Sequence, residues 1–545
     1  MGHAFQAILL LLCCANVGLV HAERRCIVDE LANKSGPLTT VVELELPNRD
    51  RGMAQFFTAS VKGWAPIRIM VFTEDLSNPS KYCIAAGESR PDFTGGTLVC
   101  ENYDIFTPEK RSILVNKVIP QAIKMHMDRL LVEPLENGIV IPIYTFGICS
   151  EFTVPSSHHT TGVFGADMYL YAATGPSGGS VLAWALTCSL LMNGRPVVGV
   201  INFPTKSISD TEYSIRVFTH EVAHTLGFFA GMMRRHSMVH TASGVRGKPN
   251  AVLFVSSPNV LEVTRKQYNC TTAPGMELED EGGGGTALSH WKRRNAKDEL
   301  MAGIAGVGYY TALTMAAFVD MGFYRAQWEM AEPMAWGKNS GCDLLTQKCL
   351  TNGVTEYPEM FCTSPDNPLL CTSDRLALGY CAIYTHQNAL PAQFRYFTNP
   401  KIGGTYSNLM DYCPYIEDYF NTRCLDGSAR IMPGSRVGPL ARCFKTDGLH
   451  DFVGAIGDVC ADVLCENETL KVRYYGDSTW HACPEGGNIT PRGFFTGGII
   501  LCPSYIEVCF ASEARSAAED MSNLFSIYSS IAVFVLFTLL ILMYW

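Results

Sequence analysis

The sequence predicts an α+β fold that ends in a disulfide-stapled, loop-rich C-terminal domain, and three observations predict it. Between residues 59 and about 229, strand-like runs (67–72, 138–144, 197–203) alternate with helical ones (109–131, 180–192 and about 211–226). From Cys349 to Cys509 the chain places 12 of its 21 cysteines, with many Gly, Pro and Asn and few long periodic segments. At 545 residues and 47% hydrophobic side chains, it is long and apolar enough for roughly two to four domains with cores of their own.

Taken in order, residues 1–22 hold an apolar run, Ala7 to Ala15, and close on Val20-His21-Ala22, which reads as a secretory signal peptide cleaved after Ala22. The cysteines agree with that route. Cys13 and Cys14 leave with the signal, Cys26 lies near the new N-terminus, and the other 18 suffice for nine disulfides, which implies an oxidising compartment. Asn269-Cys270-Thr271, Asn467-Glu468-Thr469 and Asn488-Ile489-Thr490 are N-glycosylation acceptors on the same route. The net charge is −10, and no basic stripe or nucleic-acid motif appears, which argues against a nucleic-acid partner.

The segment expected to be helical over about 211–226 carries His220-Glu221-Val222-Ala223-His224. Residues four apart share a helix face, so the two histidines aim at one point with Glu221 beside it, the zinc-protease pattern H-E-x-x-H. A hydrolytic zinc normally takes three protein ligands and leaves a fourth position to water. No Asp or Glu occurs between Thr225 and Leu261, so a nearby carboxylate ligand is absent. The compact pattern that places a third His six residues after the second meets Ala230 instead, although Gly227 is present to turn the chain out of the helix.

Three histidines follow: His236, His240 and His290. The first two sit in a polar stretch that reads as surface loop, and the third comes after the run Gly282 to Gly285. Lengthening the ligand gap from 6 residues to 66 costs roughly 2 kcal/mol of loop closure, against about 10 kcal/mol from a bound structural zinc, so distance does not exclude His290.

These residues carry a resemblance. His220 to Phe228, a long insertion, then Ser289-His290-Trp291, Arg294-Asn295 and Asp298-Glu299-Leu300-Met301 resemble the leishmanolysin family, the trypanosomatid surface zinc metalloproteases within the metzincins. Trp64-Ala65-Pro66-Ile67-Arg68-Ile69, Leu182-Ala183-Trp184-Ala185, Tyr309-Tyr310-Thr311-Ala312 and Met410-Asp411-Tyr412-Cys413-Pro414 extend the likeness over most of the chain from about 59 to about 510. The resemblance implies a metzincin-like architecture: signal peptide 1–22, propeptide 23–58, N-terminal catalytic domain 59–229, central domain 230–347 completing the zinc site, and Cys-rich domain 348–516. It implies one Zn²⁺ per chain, His290 as third ligand, Met301 as the methionine of the turn beneath the metal, and Glu221 as general base. Family precursors carry H-R-C-I-H-D near their start, and Arg25-Cys26-Ile27 with Asp29 keeps all of it except the two histidines. Cys26 is accordingly the candidate cysteine switch, a thiolate able to fill the open metal position.

Residues 517–545 end the chain with a polar spacer, Glu519 to Ser530, and an apolar run, Ile531 to Trp545. With the small residues Ser516-Ala517-Ala518, that order fits a GPI-attachment signal. The rival is a membrane span from Leu524 to Trp545. The expected function is a cell-surface zinc metalloendopeptidase acting on host or extracellular proteins and peptides, the alternative a catalytically weak surface adhesin on the same fold.

Overall fold

A computed structural model describes residues 25–32, 34, 38–44, 63–179, 181–283, 286–365 and 368–509. The expected signal peptide, residues 45–58 of the expected propeptide, and the tail 517–545 lie outside the described residues. Two compact units are present: one runs to Ala331 and includes Tyr406–Asp411, and the other comprises Glu332–Thr405 and the residues from Tyr412 on.

The first unit is built on a six-stranded mixed sheet. Strands β1 (Arg25–Cys26), β2 (Thr39–Val41), β3 (Ile69–Phe72), β4 (Met168–Ala173), β5 (Val181–Leu191) and β6 (Pro196–Asn202) are ordered β1-β5-β6-β4-β3, with β2 also on β5. Only the β5–β6 pair is antiparallel. β5 corrects an expectation, since 180–192 reads as helical. Its residues are apolar on both faces, with everything from Ala183 to Leu190 buried, and a continuous apolar run does not distinguish a central strand from a core helix. The run 138–144 forms no strand; Ile139 makes isolated bridges to Glu43 and Val163.

The expected helix 109–131 is divided. α1 (Pro108–Ile113) passes through a π turn at Leu114–Val118 into α2 (Ile119–Met127), where Ile119 N–H reaches back to Leu114 O. Pro120 has no N–H to continue an i→i−4 ladder, which fits a wider turn at this point. α3 (Glu212–Thr225) lies across β5, and Thr187 of β5 donates its hydroxyl to the helix-end carbonyl of Thr225 at 2.9 Å.

The insertion after α3 is ordered structure. α4 (Ala230–Arg235) leads to an antiparallel sheet of β7 (Val239–Ala242), β8 (Val252–Val255) and β9 (Met276–Glu277), with α5 (Pro258–Tyr268) between the last two. α6 (Ala312–Asp320) follows, and the Asp320 carboxylate accepts from Val260 N–H at 2.9 Å at the start of α5.

The second unit is β-rich and cross-linked. Its bridges Cys349–Cys413, Cys362–Cys381, Cys371–Cys443, Cys424–Cys460, Cys465–Cys509 and Cys483–Cys502 join short sheets around a core of Phe444, Val459, Val472 and Ile500. With Cys83–Cys100 and Cys149–Cys188 in the first unit, and Cys270 and Cys342 also bonded, the eighteen cysteines from Cys83 to Cys509 are all in disulfides.

Candidate metal centre

α3 starts cleanly: Thr211 caps it by accepting Ser214 N–H, and Glu212 in the first turn pairs with Arg216 one turn on. It ends at Gly227, whose φ of +114° is closed to other residues. That turn folds Phe228 back so that its carbonyl oxygen accepts the Nδ1–H of His224 at 2.7 Å. The sequence signal at Gly227 thus translates into orientation of a site imidazole.

His220, His224 and His290 converge. Their Nε2 atoms are 3.1 Å apart for His220 and His224 and 3.2 Å apart for His220 and His290. Each Nδ1 faces a carbonyl oxygen: Leu300 for His220 at 2.7 Å, Phe228 for His224, and Thr286 for His290 at 2.8 Å. A carbonyl only accepts, so each Nδ1 carries the proton and each Nε2 presents a lone pair. Burial keeps these imidazoles neutral, aided at His224 and His290 by the neighbouring rings: His220 is pushed down to about 4, His290 to about 3, and His224 well below its usual value.

Three lone pairs facing one another form a donor set that could hold a cation. A tetrahedral zinc with bonds of about 2.0–2.1 Å sets its ligand nitrogens roughly 3.3 Å apart, so the donor set suits such an ion. The fixed Nδ1–H···O=C contacts are the outer-shell arrangement that metal-binding histidines use.

Glu221 lies beside the triad, 1% exposed, and burial pushes its carboxyl up to about 8, opposed by a hydrogen bond from Cys26. A bound dication would act in the reverse direction, toward the carboxylate. Cys26 is delivered by β1, laid parallel on β5 with Cys26 opposite Ala183. Its Sγ donates to Glu221 Oε2 at 3.4 Å and lies within 4.8 Å of the three imidazole nitrogens. A cleft opens here between α3 and the small residues Ala302, Gly303, Ala305 and Gly306.

Met301 is fully buried in a turn bound to two of the histidine segments. Leu300 O accepts from His220, and Met301 O accepts from Trp291 N–H, next to His290, at 2.8 Å. The turn is held from below by Glu299, whose carboxyl takes Met301 N–H at 2.5 Å and the hydroxyls of Thr311 and Thr314 at 2.9 and 2.7 Å. Burial pushes Glu299 up to about 7 against these hydrogen bonds.

His236 and His240 do not join the cluster. His236 follows α4 with its ring edge-on to Phe323, and His240 lies on β7 with Nδ1 2.7 Å from Ser256 Oγ. A second grouping, Cys371, Cys443 and Asp458, offers no thiolate, because its sulfurs are bonded to each other. Reading the residues in sequence does not single out Glu299 as a support or His126 as a strut. His126 donates Nε2–H to Thr219 O at 3.0 Å, one residue before His220, and accepts from Tyr310 Oη at 3.0 Å. Neither belongs to a motif that marks a support role, and only burial reveals their work.

Comparison with known proteins gives the family. The leishmanolysin family model matches residues 39–516. The chain is 39% identical to leishmanolysin of Leishmania major over 476 residues, covering 84% of this chain and 78% of that protein. It is 38% identical to the leishmanolysin homolog of Crithidia fasciculata over 480 residues, 84% and 73% of the two chains. A leishmanolysin-like peptidase of Caenorhabditis elegans is 24% identical over 474 residues, 66% and 71% of the two.

Proposed function

Because the chain belongs to the leishmanolysin family and is a zinc metalloendopeptidase, we propose that His220, His224 and His290 hold its zinc and that Glu221 is the general base. The observation that carries this reading is the fixing of all three Nδ1–H groups on carbonyls, which leaves three Nε2 lone pairs converging at 3.1–3.2 Å. A zinc held by these three imidazoles would supply Lewis acidity for polarising the scissile carbonyl and activating water at near-neutral pH. Glu221 takes the proton of the attacking water and passes it to the leaving amine. In the precursor, with Cys26 seated beside them, Glu221 and the histidines are buried, which keeps bulk water from the site. Met301 shapes the floor, with Glu299 supporting its turn.

In the same reading, residues 23–58 are a propeptide whose Cys26 keeps the enzyme latent, residues 59–229 and 230–347 form the catalytic and central domains, and 348–516 form the Cys-rich domain. The enzyme follows the secretory route and acts at the cell surface on host or extracellular proteins and peptides. Residues 510–545 lie outside the described residues, and no described helix is long and apolar enough to cross a membrane, so the tail reading rests on its sequence order, with a GPI anchor preferred to a span. The test is cleavage of a peptide library by the processed protein with and without a chelator. Cleavage that stops with chelator and returns with zinc supports the reading; stoichiometric zinc without cleavage supports the adhesin alternative.

A further inference from the structure

The chain leaves the first unit after Ala331 and returns to it for only six residues, Tyr406–Asp411. This return makes its contacts close to the third histidine. Asp411 is 1% exposed, and its Oδ1 lies 2.8 Å from Lys292 Nζ and 3.0 Å from Lys248 Nζ, while Oδ2 accepts from Arg246 at 3.0 Å. Lys292 is itself fully buried, two residues after His290. The backbone of that stretch is tied to β9 and the residues after it, with Glu279 N–H donating to His290 O at 2.8 Å and Lys292 N–H to Glu277 O at 2.9 Å.

The return makes a second contact, with Gly303 and Thr286. Leu409 is fully buried against Gly303: a Cβ at Gly303 would stand 2.9 Å from Leu409 Cδ1 and 2.7 Å from Thr286 Cγ2. Thr286 supplies the carbonyl that receives His290 Nδ1–H, and Gly303 belongs to the cleft wall. Leu409 and Asp411 both hold left-handed backbone, φ of 53° and 51°; for Leu409 this conformation is unfavourable and persists only where the surroundings fix it.

We infer that Asp411 is a positioning residue for the metal centre, holding the His290 segment through Lys292, with Leu409 holding Thr286 and the cleft wall. Residues more than a hundred positions beyond the last ligand thereby set how firmly that ligand is presented. The inference rests on His290 being a metal ligand, and it gives a role to Asp411, which the hydrolytic chemistry leaves without one.

The experiment measures zinc affinity of the full processed chain by competition with a chromogenic chelator, alongside the melting temperature of the metal-free form. Asp411→Asn is expected to weaken zinc binding by roughly 10- to 100-fold, the range for loss of an outer-shell support, with Asp411→Glu recovering part of it. Asp458→Asn is the control: Asp458 is a buried carboxyl of the second unit that accepts from Cys371 and Thr446 N–H, so its loss lowers the melting temperature and leaves zinc affinity unchanged. Wild-type affinity in Asp411→Asn with a lowered melting temperature would make Asp411 structural only and overturn the inference. If Asp411→Asn does not fold, Leu409→Ala decides, because unchanged zinc affinity there overturns it equally. Retention of zinc by His290→Ala would sink the ligand reading itself, a separate result.

Discussion

The sulfur of Cys26 donates to Oε2 of Glu221 at 3.4 Å while lying within ligand reach of His220, His224 and His290. One side chain from the N-terminal segment therefore touches both the proposed base and the proposed metal position. The contact is held by backbone pairing: β1 lies along β5, and Thr286 donates to the carbonyl of Cys26 at 3.4 Å.

Cys26→Ser is expected to give a precursor that cleaves peptide without loss of residues 23–58, because a hydroxyl is a far weaker zinc ligand than a thiolate. Peptidase assay of the unprocessed protein checks this. A serine variant as silent as the wild-type precursor would mean that β1 blocks the cleft sterically.

His126 predicts a pH dependence of stability. Burial pushes its folded value down to about 3, whereas an unfolded imidazole titrates near 6.5. Between those values only the unfolded chain binds the proton, so the contribution of His126 is complete above pH 6.5 and is lost as pH falls, at up to about 1.4 kcal/mol per pH unit. Unfolding of wild type and His126→Gln between pH 7 and pH 4 should show a shallower acid slope in the variant. Parallel slopes would mean that His126 is charged in the fold.

The legible part of this protein was the local part. H-E-x-x-H, Gly227 and α3 are set by spacings within one helix and its exit, and cysteine composition foretold the cross-linked C-terminal region. His290 lies 66 residues beyond His224, and no periodicity points across an insertion that folds into its own sheet and helices. β5 read as a helix because burial on both faces removes the alternation that marks a strand. Glu299, Lys292 and Asp411 look like surface charges in the sequence; Lys292 and Asp411 are buried as a pair far apart along the chain, and Glu299 against the hydroxyls of Thr311 and Thr314.

The tail is tested by mass spectrometry of the C-terminal peptide from surface protein. Small residues, a polar spacer and an apolar end predict a peptide ending near Ser516 that carries ethanolamine. Recovery of a peptide containing Tyr544-Trp545 would replace the anchor with a membrane span.

Glu221→Ala is expected to keep zinc while turnover falls by about two to four orders of magnitude, the range for loss of a general base. Steady-state kinetics on metal-loaded protein reads this, and wild-type proteolysis from a loaded variant would remove Glu221 from the mechanism.

The most direct measurement is the zinc-to-protein ratio of the processed chain and its single histidine variants. One zinc is expected in the wild type, in His236→Ala and in His240→Ala, and loss of that zinc on dialysis in His220→Ala, His224→Ala and His290→Ala. One tightly held zinc in His290→Ala, or its loss in His236→Ala or His240→Ala, would contradict this ligand set.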